Sequence, residues 1–173
     1  MNIRFIYADK ARKEAFLPAV FDILYTNMSV IAPTGCTREE DYAEWHSHVS
    51  PALDKEPRQI VLMYNGDELI GYFQYYVNTS ASLFMMEEIQ ILRAYHGTGV
   101  FQAFYAWLLP RLPRETQRVE AYAHKQNKKS QAVLRHLGLS PVGEGVDGRT
   151  DHFRGDFGVL AKRYATDDEK KER

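Results

Sequence analysis

The segment EEIQILRAYHGTGVFQAFYAWLL, residues 87–109, constrains the chain more than any other. An alternating run ends in two glycines and passes straight into an apolar, helix-like pattern, so it reads as strand, tight turn and helix. The first turn of a helix carries N–H groups with no intrahelical partner, and the helix dipole adds partial positive charge at the same place. A turn of this kind favours a phosphate or pyrophosphate at residues 97–101. The bland alternative is an ordinary tight turn in which Gly97 and Gly99 supply positive φ and nothing more.

The flanking sequence places that turn in a mixed α/β (α+β) chain. Residues 2–8 alternate as a first strand, with Ile3, Phe5 and Tyr7 on one face. A helical segment follows to about Met28, on which Phe16, Val20, Ile23, Leu24 and Asn27 share one stripe; all but Asn27 are apolar. Pro18 within it implies either a kink or a later start. Residues 29–36 contain Pro33 and Gly35 and read as a loop. Thr37 and Glu40 then form a capping box, opening a helix with Tyr42, Trp45 and Val49 inward and with Pro51 and Pro57 bracketing its exit. Two strands, 59–64 and 68–77, meet around Asn65-Gly66, a strong hairpin signal, and 82–92 reads as a third strand of that sheet. The helix at 99–109 is apolar almost all round and is stopped by Pro110 and Pro113. A strand at 118–124 and a short helix at 128–137 ended by Gly138 come next. Residues 139–164 read as two antiparallel strands around a polar loop at 143–151. This order does not alternate strictly, which argues against a doubly wound parallel sheet.

With 173 residues, the chain is expected to form one domain over residues 1–165, followed by a charged tail at 166–173. Twenty-two Lys and Arg against 23 Asp and Glu leave a formal charge of −1, so no basic field draws the chain to nucleic acid. No window approaches the ~20 apolar residues of a membrane span. The N-terminal MNIRFIYADK alternates like a strand and lacks the apolar core of a signal peptide. The single cysteine, Cys36, fits a reducing compartment. The expectation is a cytoplasmic protein without nucleic-acid or membrane partners.

Three phosphate carriers compete for the turn. A P-loop requires Gly-Lys-Ser/Thr after its first glycine, and no lysine stands at that place. A dinucleotide fold requires G-x-G-x-x-G; Gly97 and Gly99 supply two glycines, but Gln102 occupies the third place. Coenzyme A, the third carrier, fits the order of strands. The turn His96-Gly97-Thr98-Gly99-Val100-Phe101 resembles the Q/R-x-x-G-x-G/A signature of the GNAT N-acetyltransferase superfamily, with Tyr95 in place before it. His96 replaces the usual Arg or Gln, and Phe101 replaces a small residue. A second family motif, N-x-x-S/A followed by L-G-F, falls on Asn127, Ser130 and Leu137-Gly138-Leu139. Together the two cover about residues 58–142, in register with one strand between them.

The resemblance implies a mostly antiparallel sheet of six to seven strands, about four helices, and a fourth strand splayed from the fifth to admit the pantetheine arm of acetyl-CoA. Backbone groups near Ile91 would bind that arm, with Ile89 and Ile91 packing alongside. The N–H groups of Gly97, Thr98, Gly99, Val100 and Phe101 would hold the pyrophosphate, His96 would add a phosphate contact, and Asn127, with Ser130, would meet the arm from the next helix. A plain N-cap is the alternative role for Asn127.

The implied chemistry is acetyl transfer to a primary amine, with a non-catalytic coenzyme A-binding or regulatory domain as the alternative. An alkylammonium with a pKa of ~10 must lose its proton, which costs roughly 4 kcal/mol at neutral pH. Family members often carry a carboxylate at Glu87 or Glu88 for this purpose; adjacent strand residues face opposite sides, so one of the two can reach the acceptor. The family pattern leans to Glu87. Where the family often has a tyrosine to protonate the leaving thiolate stands Leu134; Tyr122, His124, His136 or water would have to substitute. The loops at 29–37 and 143–151 are expected to shape the acceptor pocket, and Glu39, Glu40, Glu44, Asp147 and Asp151 suit a cationic acceptor. His46 and His48, two apart on a helix, do not share a face, so no metal site is expected. Self-association into a homodimer stays open.

Overall fold

A computed structural model describes residues 1–55 and 57–165. The expected charged tail lies outside the described residues. The strands are β1 (Ile3–Tyr7), β2 (Arg58–Asn65), β3 (Glu68–Asn78), β4 (Leu83–Ile91), β5 (Arg118–His124), β6 (Ser140–Glu144) and β7 (Thr150–Asp156). They form a seven-stranded sheet in the order β1-β2-β3-β4-β5-β7-β6, in which β4 and β5 run parallel. The helices are α1 (Leu17–Met28), α2 (Arg38–Lys55), α3 (Val100–Leu108), α4 (Lys128–His136) and α5 (Phe157–Tyr164). Chain contacts group into two compact units, Met1–Tyr75 with Glu88–Gly97, and Tyr76–Glu87 with the chain from Thr98 onward.

In the first unit β1 lies antiparallel to β2, from Ile3 opposite Asn65 to Tyr7 opposite Val61. The Asn65-Gly66 turn links β2 to β3, and Gly66 takes the positive φ (59°) that the turn demands. Pro18 settles at the start of α1, where its missing N–H is one of the unpartnered donors anyway, so the helix begins late instead of kinking. A short 3₁₀ stretch, Lys10–Ala15, precedes it, capped by Asp9. Thr37 opens α2 as a reciprocal cap: its N–H donates to Glu40 at 2.8 Å, and the Glu40 N–H donates back to the threonine hydroxyl at 3.3 Å.

The exit of α2 falls at Lys55, between Pro51 and Pro57 as expected, and the helix runs through Pro51 to reach it. Leu53 explains this. It is 1% exposed and packs with Leu17, Val20, Ile23, Ile60, Leu62 and Tyr72 in the core of the unit. Burying one leucine stabilises by about 2 kcal/mol, which offsets most of the ~3 kcal/mol that an interior proline costs.

In the second unit β5 lies antiparallel to β7 over its whole length, Arg118 opposite Asp156 to His124 opposite Thr150. β6 pairs with β7 through an irregularity between Pro141 and Gly143. The last stretch departs from the sequence reading, because β7 ends at Asp156 and α5 follows. Phe157 and Val159 alternate and imitate a strand, yet the buried side chains are Leu160 and Tyr164, one helical turn apart. The Asp156 carboxylate accepts from the Val159 N–H at 2.9 Å and starts the helix. Burial is shared by Val100, Phe104, Tyr105 and Leu108 on α3, and Tyr164 packs its ring 5.2 Å from Tyr105.

Candidate active site

The glycine turn is built as its sequence implies. Gly97 and Gly99 have φ of 75° and 87°, a region that costs an L-residue about 1–2 kcal/mol. A Cβ at either position would meet nothing within 4 Å. The glycines are therefore demanded by backbone conformation and leave the turn open to a ligand. Gly99 caps α3 with no side chain over the helix end, and the first helical bond is the Ala103 N–H to the Gly99 carbonyl at 2.9 Å. The N–H groups of Val100, Phe101 and Gln102 precede that bond and have no place in the helical ladder. The ring of Phe101 packs 4.8 Å from the ring of Tyr105, one helical turn further along α3. These features fit a diphosphate. His96 directs Nε2 to the Ile91 carbonyl at 2.9 Å, so that nitrogen carries the proton and pins the turn to the end of β4.

The second half of β4 carries a polar network on an otherwise apolar surface. Tyr72, fully buried on β3, donates its hydroxyl to Glu88 Oε2 at 2.8 Å. Burial and the neighbouring Glu88 charge hold the Tyr72 phenol well above its ordinary range, so it stays protonated and remains a donor. Gln90 donates to Glu88 Oε1 at 3.3 Å. Asn27 of α1 donates to Gln90 Oε1 at 3.0 Å and to the Ile91 carbonyl at 3.1 Å. Asn27 is the polar interruption of the α1 stripe, and that interruption was the visible sign of a site; its partner lies 63 residues away. Gly71 on β3 makes room for the network, because a Cβ there would lie 2.6 Å from the Gln90 carbonyl oxygen.

Glu88 lines an open cavity of about 690 Å³ bounded by α1, the loop after it and α2. Phe21, Tyr25 and Trp45 give it aromatic walls, while Ser29, Thr34 and Cys36 come from the loop. Glu87, the neighbour preferred on family pattern, belongs to the other compact unit with the first half of β4. Ile89 is half-buried and Ile91 buried, both on the Glu88 half of the strand. Of the two histidines on α2, His46 pairs with Glu14 at 2.9 Å and His48 bonds the Glu44 carbonyl at 2.8 Å. No metal-binding group of three His, Cys, Asp or Glu occurs among the described residues.

In the second unit the parallel ladder of β4 and β5 runs from Leu83 opposite Arg118 to Met86 opposite Ala121, and β5 continues past it to His124. Asn127 caps α4: its side-chain oxygen accepts from the Ser130 N–H at 3.0 Å. Leu134 is buried, 7% exposed, and offers no proton. Tyr122 stacks on His152 at 4.5 Å. Glu120 is the buried carboxylate of this unit; burial pushes its pKa up, but bonds from His152 at 2.8 Å and Arg154 at 2.9 Å outweigh that and hold it below the usual range.

No helix among the described residues is long and apolar enough to cross a membrane. No curated protein matches the chain by sequence. Solved structures resemble it in fold. An acetyltransferase from Thermus thermophilus superposes with a TM-score of 0.68 at 18% identity, over 90% of this chain and 97% of that one. The PaiA N-acetyltransferase of Thermoplasma acidophilum, in complex with coenzyme A, gives 0.71 at 11% identity, over 90% and 99%. Mutant forms of the spermidine/spermine N-acetyltransferase SpeG of Vibrio cholerae give 0.60 at 11% identity, over 94% and 98%. Residues 17–139 match the acetyltransferase (GNAT) family, so the chain belongs to that family of acyl-CoA-dependent N-acetyltransferases.

Proposed function

We propose that the chain transfers the acetyl group of acetyl-CoA to a primary amine, with Glu88 as the general base. The observation that carries this reading is the Glu88 carboxylate, held by the buried Tyr72 hydroxyl and facing a cavity large enough for a small organic amine. Tyr72 and Gln90 orient both carboxylate oxygens, which keeps the base in place for proton removal. Glu88 takes the ammonium proton, leaving a neutral amine to attack the thioester carbonyl. The N–H groups at 97–101 hold the diphosphate, and Ile89 and Ile91 flank the arm. Asn127 lends its cap oxygen to α4 and acts there through the position of Ser130.

The thiolate departs without an acid at position 134. A free thiol has a pKa of ~8.5, so the thiolate is a tolerable leaving group and water suffices to protonate it. The family match over residues 17–139 draws on both compact units, which supports one acetyltransferase domain over residues 1–165. The exposed thiol of Cys36 suits a reducing, cytoplasmic setting.

Calorimetry with acetyl-CoA, followed by a thiol-release assay over a panel of amines, tests the reading. Binding with amine-dependent thiol release is the expected result. Binding without release for every amine would favour a non-catalytic coenzyme A-binding domain, for which buried Leu134 is the supporting feature.

A further inference from the structure

The lining of the Glu88 cavity sorts its residues by chemistry in a way that bears on the acceptor. Tyr25 and Trp45, both half-buried, present aromatic surface, with Phe21 buried behind them and aliphatic residues around them. Among the lining residues the carboxylates are Asp41, Glu44 and Glu88, and no lysine or arginine lines the cavity with them. His48 is committed through Nδ1 to the Glu44 carbonyl at 2.8 Å. Arg38, outside the lining, is bonded to Asp22 and lies 5.6 Å above the ring of Phe21. An ammonium entering here gains carboxylates and aromatic faces together. A carboxylate entering here meets like charge from the lining.

Shape narrows the class further. Asp41 and Glu44 stand three apart on α2 and so share one face of that helix. Negative charge is thus placed at Glu88 and at one patch on α2, with aromatic surface elsewhere; it is not repeated along the cavity as a chain of several ammonium groups would need. A slender alkyl chain would leave the exposed parts of Tyr25 and Trp45 in water, whereas a ring would cover them.

We propose that the acceptor is an arylalkylamine, a primary amine with an aromatic body and no carboxylate. This rests on Glu88 being the base of the same site. The aromatic walls hold the ring, and the three carboxylates exclude amino acids and other acidic amines.

The test is thiol release from acetyl-CoA with 2-phenylethylamine, L-phenylalanine, butylamine and spermidine as acceptors. The expected kcat/KM for 2-phenylethylamine exceeds that for L-phenylalanine, which differs from it by one carboxylate, by about 100-fold, and exceeds that for butylamine by about 10-fold. Glu44 is exposed on α2, so Glu44→Lys should fold; it should shrink the discrimination against L-phenylalanine by about 10-fold. Turnover of L-phenylalanine or spermidine as fast as 2-phenylethylamine overturns the proposal and leaves Glu88 as base intact. Acetyl-CoA binding with no turnover of any amine removes the base assignment, and this proposal with it.

Discussion

Replacing Glu88 by glutamine keeps the shape of the side chain and removes its charge, so the loss can be worked through bond by bond. Tyr72 can go on donating to the new amide oxygen. The new NH₂ group then faces the Gln90 amide nitrogen, and Gln90 cannot simply turn over because its oxygen already accepts from Asn27. One hydrogen bond is therefore lost, worth about 1 kcal/mol of stability, which leaves the protein folded. The kinetic loss is larger. An alkylammonium with a pKa of ~10.4 costs about 4–5 kcal/mol to deprotonate at pH 7, and a positioned base contributes about 10²–10⁴ in rate. Thiol release by Glu88→Gln at pH 7 should fall by about that factor, roughly 3–5 kcal/mol of barrier. The deficit should also shrink by about tenfold for each pH unit toward 10, as the free amine fraction rises without help from the enzyme. Glu87→Gln, made in parallel, should change the rate by less than about threefold. Equal and small effects of the two substitutions, or a Glu88→Gln profile that runs parallel to wild type across pH 7–10, would refute the assignment.

Gly99→Ala forces an L-residue into φ of 87° with no steric neighbour to blame; the expected cost is about 1–2 kcal/mol in stability together with weaker acetyl-CoA binding by calorimetry, and unchanged affinity would remove the turn as the diphosphate seat. Gly71→Ala drives a Cβ to 2.6 Å from the Gln90 carbonyl oxygen and 3.2 Å from the Ile91 Cα; we expect about 1–3 kcal/mol less stability by urea denaturation and a lower kcat as the strand bearing Glu88 shifts, so a fully active, stable variant would contradict the close approach. Glu120→Gln should destabilise by about 2 kcal/mol at pH 7, between an exposed pair and a fully buried one because Arg118 and Arg154 are 42% and 49% exposed. The Glu120 pKa is depressed on folding, so its contribution is present above the unfolded carboxylate value and is lost as pH falls through the folded one. The gap in urea midpoint between wild type and Glu120→Gln should therefore close toward pH 3; a constant gap would mean that packing, not charge, is responsible.

Local chemistry explains which parts of this structure could be read from sequence. The glycine turn at 97–101, the Thr37–Glu40 cap and the Asn65-Gly66 hairpin each depend on residues a few positions apart, and each forms as its residues imply. Features decided by distant partners were harder to see. Pro51 and Pro57 bracket the end of α2 without fixing it, and burial of Leu53 carries the helix past Pro51 to Lys55. Phe157 and Val159 carry a strand rhythm that Leu160 and Tyr164 override through burial. The pair Glu87 and Glu88 shows the limit most plainly. Strand parity says that the two carboxylates face opposite ways, but which face meets α1 and α2 depends on helices that end at Met28 and Lys55, far earlier in the chain.

Tyr72 joins these two kinds of information. Inside an apolar strand it reads as a core residue, and it is one, packed with Leu17, Val20, Ile23 and Leu53. A buried phenol must still find a partner for its hydroxyl, and the partner here is Glu88. The side chain that helps to complete the hydrophobic core thus also fixes the carboxylate at the cavity, so stability and the position of the proposed base are set by one residue. Tyr72→Phe keeps the ring and separates the two roles. Removing a hydrogen bond to a charged group costs about 1.5–3 kcal/mol of anion stabilisation, so the acid limb of kcat/KM should move about 1–2 pH units upward. The ring's packing with α1 and α2 should hold the fold together. If stability falls while the acid limb stays where it is, the hydroxyl serves the core alone and Glu88 is not oriented by it.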